Sequence, residues 1–240
     1  MGKNSRANYA LVSLLRGVLE LFAKFSYHSF MFLFLCLLFP LGFFIWTRTN
    51  EDGALRFLPS AFLGVFVSAV FCAFRFFFLP FYYLPQDSFL RNFFYVFCNY
   101  VFAPLLAMAV LCFLLERRGD FFSRFENFFP ICAGFYAIYL PFRILNGRLP
   151  IPFFLLFAKP VICFSMILAA SKILVALFEK RRTNIMDNSK KIFLSCALAF
   201  TLLLPAVLEA AWMVGANSIL TVILTLAYLA AAAIFSVIDK

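Results

Sequence analysis

A small set of charged and amide side chains lies inside long apolar stretches of the chain, where such groups are rare. They are Arg75, Asn99, Arg143, Lys159 and Glu209, with His28 at the entrance of the first stretch. Polar groups in membrane segments are costly, and those that occur often line ion or substrate pathways. Lys159 lies near the start of one stretch and Glu209 near the end of the next. Two antiparallel helices would therefore bring these side chains to similar depths, where they could meet.

The distribution of these groups predicts a polar, net-positive vestibule that opens toward the extracytoplasmic side. Lys159 and Glu209 would form its charged floor, and Arg143 lies close to the same surface. If every apolar stretch crosses the membrane, Arg75 and Asn99 join the same leaflet. The alternative is a structural ion pair that fixes helix register, with arginines that extend their long stems to the head groups.

Prolines interrupt five different apolar stretches. They are Pro40, Pro104, Pro141, Pro160 and Pro205. A proline inside a helix lacks the N–H for the helical hydrogen bond and tends to kink the helix. Kinked or broken helices with charges nearby are typical of transporter sites. Lys159-Pro160 combines a charge with a kink, which makes it the most informative single position.

Recognisable enzyme chemistry is missing from the sequence. There is no Gly-x-Ser-x-Gly, His-Glu-x-x-His, nucleotide-binding loop or Gly-x-Gly-x-x-Gly. The seven cysteines all lie in apolar runs without a Cys-x-x-Cys pair, and His28 is the single histidine. Metal ligation needs clustered thiolates or imidazoles. We therefore expect a protein that is not an enzyme and that carries no metal or cofactor.

The composition places these residues in a membrane protein. Hydrophobic residues make up 65% of the 240 positions and charged residues 13%, against about half and about a quarter in soluble domains. The net charge of +10 comes from short links between apolar runs. We therefore expect contacts with the lipid bilayer and its anionic head groups, and no nucleic-acid binding.

Seven stretches are long enough to cross a bilayer, which needs about 20 apolar residues. They are 28–47, 57–81, 93–115, 128–145, 151–178, 192–214 and 217–238. The links between them are too short for a folded domain. We predict an all-α, polytopic bundle over 28–240 with about seven transmembrane helices, or six if 57–81 is re-entrant.

Basic residues in the links predict the orientation. The links 116–127 and 179–191 carry the strongest basic clusters, and two stretches separate them. Both are therefore expected on the cytoplasmic side of the cell (inner) membrane, together with the C-terminus. The basic N-terminus also favours the cytoplasm, but three stretches separate it from 116–127. Counting all basic residues favours an N-terminus outside, whereas a re-entrant 57–81 would allow it inside.

The two ends of the chain differ in character from the middle. Residues 1–27 predict a basic amphipathic helix in the membrane interface, or else an extension of the first membrane helix. Residues 217–238 are rich in alanine, and Ala230–Ala233 would allow another helix to approach closely. This last helix is therefore a candidate surface for a membrane-protein partner.

Two functions follow from these features. The first is a permease-type or channel-type transport component, favoured by the kinked stretches and the one-sided polar residues. The second is a non-catalytic membrane-organising or scaffold subunit, favoured by the short links, the interfacial helix and the alanine-rich last stretch.

Overall fold

The structure is a computed structural model, and it describes residues 33–49, 54–78, 88–101, 105–107, 125–146, 153–182, 188–215 and 218–237. All regular structure in these ranges is helical, which confirms the all-α prediction there. The α-helices are α1 (Leu38–Thr49), α2 (Ala54–Phe78), α3 (Phe89–Val96), α4 (Phe128–Asn146), α5 (Phe153–Arg182), α6 (Asn188–Met213) and α7 (Ser218–Val237). A π-helical segment, Phe97–Val101, directly continues α3. The predicted interfacial helix at 1–27 and His28 lie outside the described residues.

Three helices are long and apolar enough to cross a membrane. Their spanning portions are Phe57–Phe74 in α2, Ala158–Leu177 in α5 and Asn188–Met213, which is α6. Shorter apolar helices cover Leu33–Thr47, Phe128–Phe142 and Ile219–Ile234. α2 is one uninterrupted helix of 25 residues, or about 37 Å at 1.5 Å per residue. That length exceeds a hydrocarbon core of about 30 Å, so the continuity of α2 favours a crossing over a re-entrant segment.

The last helix shows an inside-out distribution of polarity. Its buried face carries Thr221, Thr225 and Tyr228, whereas Ile219 and Ile223 on the other face are exposed. The Thr225 hydroxyl donates to the carbonyl of Thr221, one turn earlier. Polar groups inside and apolar groups outside are the arrangement that a lipid environment favours. The exposed surface of α7 is therefore suited to acyl chains.

α2 and α4 pack against each other at backbone distance. A Cβ on Gly64 would lie 2.0 Å from the carbonyl oxygen of Ile131, and one on Gly134 would lie 2.1 Å from that of Ala61. Small residues permit this approach, as in many membrane helix pairs. The Ser60 hydroxyl donates to Asn127 Oδ1 at 2.7 Å at the same end of the pair. The two glycines therefore determine how closely the helices pack.

Aromatic side chains fill the space between α1, α2 and α4. Trp46 packs on Phe57 with ring centroids 4.7 Å apart and on Phe129 at 5.5 Å. Phe164 of α5 touches this group, with its ring 6.0 Å from Phe39 and 5.9 Å from Phe129. The aromatic layer therefore joins α5 to the first half of the bundle.

α5 is the central helix of the described structure. In its spanning portion 56% of the residues are buried, against 22% in α2 and 28% in α6. It contacts α1, α4, α6 and α7. α6 and α7 form a tight hairpin beside it, in which Gly215 adopts a φ of +74° and its N–H donates to the carbonyl of Trp212 at 3.1 Å. Glycine readily adopts this left-handed conformation at a helix end.

Candidate functional site

Lys159 and Glu209 form an ion pair between α5 and α6. Lys159 Nζ donates to Glu209 Oε1 at 2.5 Å. The helices are consecutive and antiparallel, so the start of α5 and the end of α6 lie at the same level. Lys159 is 5% exposed and Glu209 is 8% exposed. The structure thus brings together the two charged residues that the sequence placed at similar depths, and it holds them away from the surface.

The surroundings of the pair are mostly apolar. A cavity of about 20 Å³ adjoins both side chains, enough for about one water molecule. Apart from the pair, its lining consists of Val96, Val101, Ile162, Cys163, Met166, Pro205 and Ala206. In these surroundings the opposite charges of Lys159 and Glu209 lie in direct contact, which offsets part of the cost of burying them.

Both helices that supply the pair contain a proline close to the charge. Pro160 directly follows Lys159, and Pro205 lies one turn before Glu209. Pro205 has no N–H, so the carbonyl of Thr201 lacks the backbone donor that a regular helix supplies. The hydroxyl of Tyr228 donates to this carbonyl at 3.1 Å. A side chain of α7 thus replaces the missing helical hydrogen bond in α6.

Asn99 lies in the π-helical segment and not in the ion pair. It is buried, its side-chain N–H donates to the carbonyl of Tyr95 at 2.5 Å, and its Oδ1 accepts from the hydroxyl of Tyr139 at 3.3 Å. The same segment brings Val101 to the cavity, and Val96 precedes it. Asn99 therefore ties the π turn to α4, and Val101 of the segment lines the cavity beside the ion pair. π turns occur frequently at functional sites.

The remaining predicted site residues are spread over other elements. Arg75 belongs to α2 and Arg143 to α4, and their side chains lie outside the described part of the structure. Pro40 lies at the start of α1 and Pro141 inside α4, whereas Pro104 is outside the described residues. The prolines that adjoin the ion pair are Pro160 and Pro205.

Tyr228 and Cys163 are site residues that the sequence analysis did not identify. Cys163 lies one turn after Lys159 and lines the cavity, and the Tyr228 hydroxyl donates to the carbonyl of Thr201. A tyrosine in the middle of an alanine-rich span was a usable signal for Tyr228, because a buried hydroxyl needs a partner. Lys172, a half-buried lysine further along α5, was also not singled out.

Alanines of α7 contribute little to the interior. Ala232 is buried, whereas Ala230 and Ala233 are exposed.

Among the described residues no three His, Cys, Asp or Glu side chains lie close enough together to hold a metal ion. No protein family model matches the chain, and neither a curated protein nor a solved structure shows significant similarity to it.

Proposed function

We propose that the chain is a permease-type or channel-type component of a membrane transport system. In this proposal the Lys159–Glu209 pair is the gate, which is closed while the two side chains are in contact. The observation that carries this proposal is a buried ion pair between two proline-containing helices, beside a small cavity. Helices of this kind bend where a backbone hydrogen bond is missing. Movement at Pro160 or Pro205 would separate the charges and enlarge the cavity into the extracytoplasmic vestibule.

The wider architecture belongs to the same proposal. About seven helices cross the cell (inner) membrane, the link 179–191 and the C-terminus lie in the cytoplasm, and basic links contact anionic head groups. Arg143, Arg75 and Asn99 belong to the pathway. The chain has no recognisable nucleotide-binding motif, so active transport would draw on an ion gradient or on an energy-coupling partner.

A membrane-organising subunit is the second candidate. Its support is that Lys159 and Glu209 are almost completely buried and bonded to each other. A pair of this kind fixes the register of two helices without any transport role. In this case the pair stays closed, and the exposed face of α7 provides the surface for a partner.

Native cysteines distinguish the two functions without any substitution. Cys163 lines the cavity beside the pair, whereas Cys132 is buried in the aromatic core of α4. The full chain in lipid vesicles is treated with a small, charged, water-soluble thiol reagent, and labelling of each cysteine is followed by peptide mass spectrometry. If the gate opens, we expect the reagent to label Cys163 at least about tenfold faster than Cys132. Equal, negligible labelling of both favours the organising role.

A further inference from the structure

A groove of about 180 Å³ lies between α1, α2 and α4, and all the residues that line it are apolar. α4 supplies its floor with three small residues, Ala133, Gly134 and Ala137. Phe44 of α1 and Phe62 of α2 stand at its rim, where they are 59% and 64% exposed. The floor is therefore a recess between large exposed rings.

The groove follows the part of α2 that is apolar enough to cross a membrane. That part begins at Phe57, and the groove extends along it from Leu58 to Val65. Seven residues of helix span about 10 Å at 1.5 Å per residue. One leaflet contributes about 15 Å to the hydrocarbon core of a bilayer. The groove therefore begins near one membrane surface and ends within the same leaflet.

A section of one hydrocarbon chain fits the groove. Side chains that border an empty space lose their dispersion contacts on that side, and on this face of the bundle the surrounding medium is lipid. An apolar cavity of about 150 Å³ holds a six-carbon ring such as benzene. The groove is slightly larger, so it has room for a similar number of carbon atoms in a row.

The shape of the groove favours a thin chain over a second helix. Membrane helices associate closely where small residues lie at the contact surface. Here the small residues lie at the bottom, and the exposed rings of Phe44 and Phe62 project beyond them. These rings hold the backbone of another helix away from the floor, whereas a flexible acyl chain passes between them.

Arginines occur in both helices at the end of the groove near the membrane surface. Arg48 lies in the last turn of α1, one turn after Phe44, and Arg56 lies in the first turn of α2, two residues before Leu58. Guanidinium groups form strong, charge-assisted hydrogen bonds with phosphate. The positive charge of these residues therefore complements the phosphate of a lipid whose chain enters the groove.

We propose that the groove binds one acyl chain of a phospholipid, with the phosphate at the end where α1 ends and α2 begins. The site is independent of the proposed transport function. The sequence between the two helices also contains Glu51 and Asp52, so we expect no preference for anionic over zwitterionic phospholipids.

Photo-cross-linking of the full chain in phosphatidylcholine vesicles tests this proposal. The probe is a phosphatidylcholine with a diazirine in one acyl chain, and peptide mass spectrometry locates the attached lipid. We expect attachment to Ala133 and Gly134, which are buried, and to Ile138, an exposed residue of α4 that reports ordinary contact with lipid. Attachment to Ile138 without attachment to Ala133 or Gly134 would overturn the proposal.

Ala137→Leu fills the groove from its floor. It should lower attachment to Ala133 and Gly134, relative to Ile138, at least about tenfold, because the added side chain takes the space of the lipid. Ala199→Leu is the matched control, since Ala199 is an exposed alanine of α6 away from the groove, and it should leave the ratio unchanged. An unchanged ratio in Ala137→Leu contradicts the site. If Ala137→Leu fails to fold, the pattern in the unaltered chain decides.

Two further measurements distinguish the occupant. A diacylglycerol with the same photoreactive chain should attach to the floor at least about fivefold less than the phosphatidylcholine, since it cannot make the charge-assisted contact. Equal attachment of the two probes overturns the assignment to a phospholipid. Chemical cross-linking of the protein in the same vesicles detects a second copy. A dimer that Ala137→Leu abolishes, together with a floor that no lipid probe reaches, would assign the groove to another chain and overturn the proposal.

Discussion

Lys159 and Glu209 are almost completely buried and in direct contact. We expect Lys159→Met and Glu209→Gln each to lower stability by about 3–5 kcal/mol, the cost of breaking a buried ion pair by removing one partner. The double variant should recover most of this loss, since it leaves no charge behind. Thermal unfolding of the purified protein in detergent, followed by tryptophan fluorescence, measures the effect.

Lys191→Met is the control for these variants. Lys191 is an exposed lysine of α6, so its replacement removes a charge without breaking a buried pair. It should change stability by less than about 0.5 kcal/mol. If the double variant loses as much stability as the two single variants together, the two charges do not depend on each other.

The sequence was sufficient to find this pair because both residues are charged and both interrupt apolar runs. Their depths followed from the helical rise. The bond between Tyr228 and Thr201 was not predictable in the same way. It depends on the rotation of α7 about its axis, which is determined by packing against α5 and α6 and leaves only a weak trace in the sequence.

Between helices, the Tyr228 hydroxyl of α7 replaces the backbone hydrogen bond that Pro205 removes from α6. Tyr228→Phe should cost about 1–3 kcal/mol, because the carbonyl of Thr201 becomes a buried, unpaired acceptor. In a Pro205→Ala background the alanine N–H can restore the helical bond, so the same substitution should cost much less. Thermal unfolding of the four proteins gives this double-mutant cycle. If Tyr228→Phe lowers stability equally in both backgrounds, the hydroxyl does not compensate for the N–H that Pro205 lacks.

The close contact of α2 and α4 gives a second prediction, which concerns helix packing. Gly64→Ala and Gly134→Ala each place a methyl group against backbone of the facing helix, at 2.0 and 2.1 Å from a carbonyl oxygen. The helices must separate, and we expect a loss of at least about 1–3 kcal/mol in thermal unfolding. Gly42→Ala is the matched control. Its added methyl group would meet the ring of Phe164, a side chain that can move, so the loss should be smaller.

Helices themselves were predictable from the apolar stretches, but their irregularities were not. Five of the seven predicted stretches contain a described α-helix that covers most of their length, and α1 covers the second half of 28–47. The stretch 93–115 behaves differently, because α3 begins earlier, at Phe89, and changes into a π turn at Phe97. A π turn depends on a shift in hydrogen-bond partners that no residue type specifies. The support that Asn99 gives it became visible only in the structure.

For the whole molecule, the order of helices predicts on which side each link lies. α6 and α7 separate the basic link 179–191 from the C-terminus, so both should lie on the cytoplasmic side if both helices cross. Single-cysteine variants Ser189→Cys and Asp239→Cys, in a chain without native cysteines, should react with an impermeant maleimide from the same side. Asn146→Cys, at the last residue of α4, should react from the other side. Labelling of Ser189→Cys and Asp239→Cys from opposite sides would show that only one of the two helices crosses.

The sequence predicted a helical membrane protein because composition alone forces apolar residues toward lipid. It did not determine the number of crossings, since orientation depends on a balance of basic residues that conflicts at the N-terminus. The continuous α2 supports an additional crossing. The position of α5 at the centre also required the structure, because a helix that is apolar on all sides gives no sequence signal for its neighbours.

The close packing of α2 and α4 at Gly64 and Gly134 also has a consequence for the history of the sequence. Each missing side chain is replaced by the backbone of the facing helix, and a backbone cannot mutate to make room. A change at one glycine therefore has no compensating change at the other. Among homologous sequences both positions should therefore be glycine, and they should not covary. Lys159 and Glu209, by contrast, contact each other through their side chains, so a change at one can be compensated at the other and the two positions should covary.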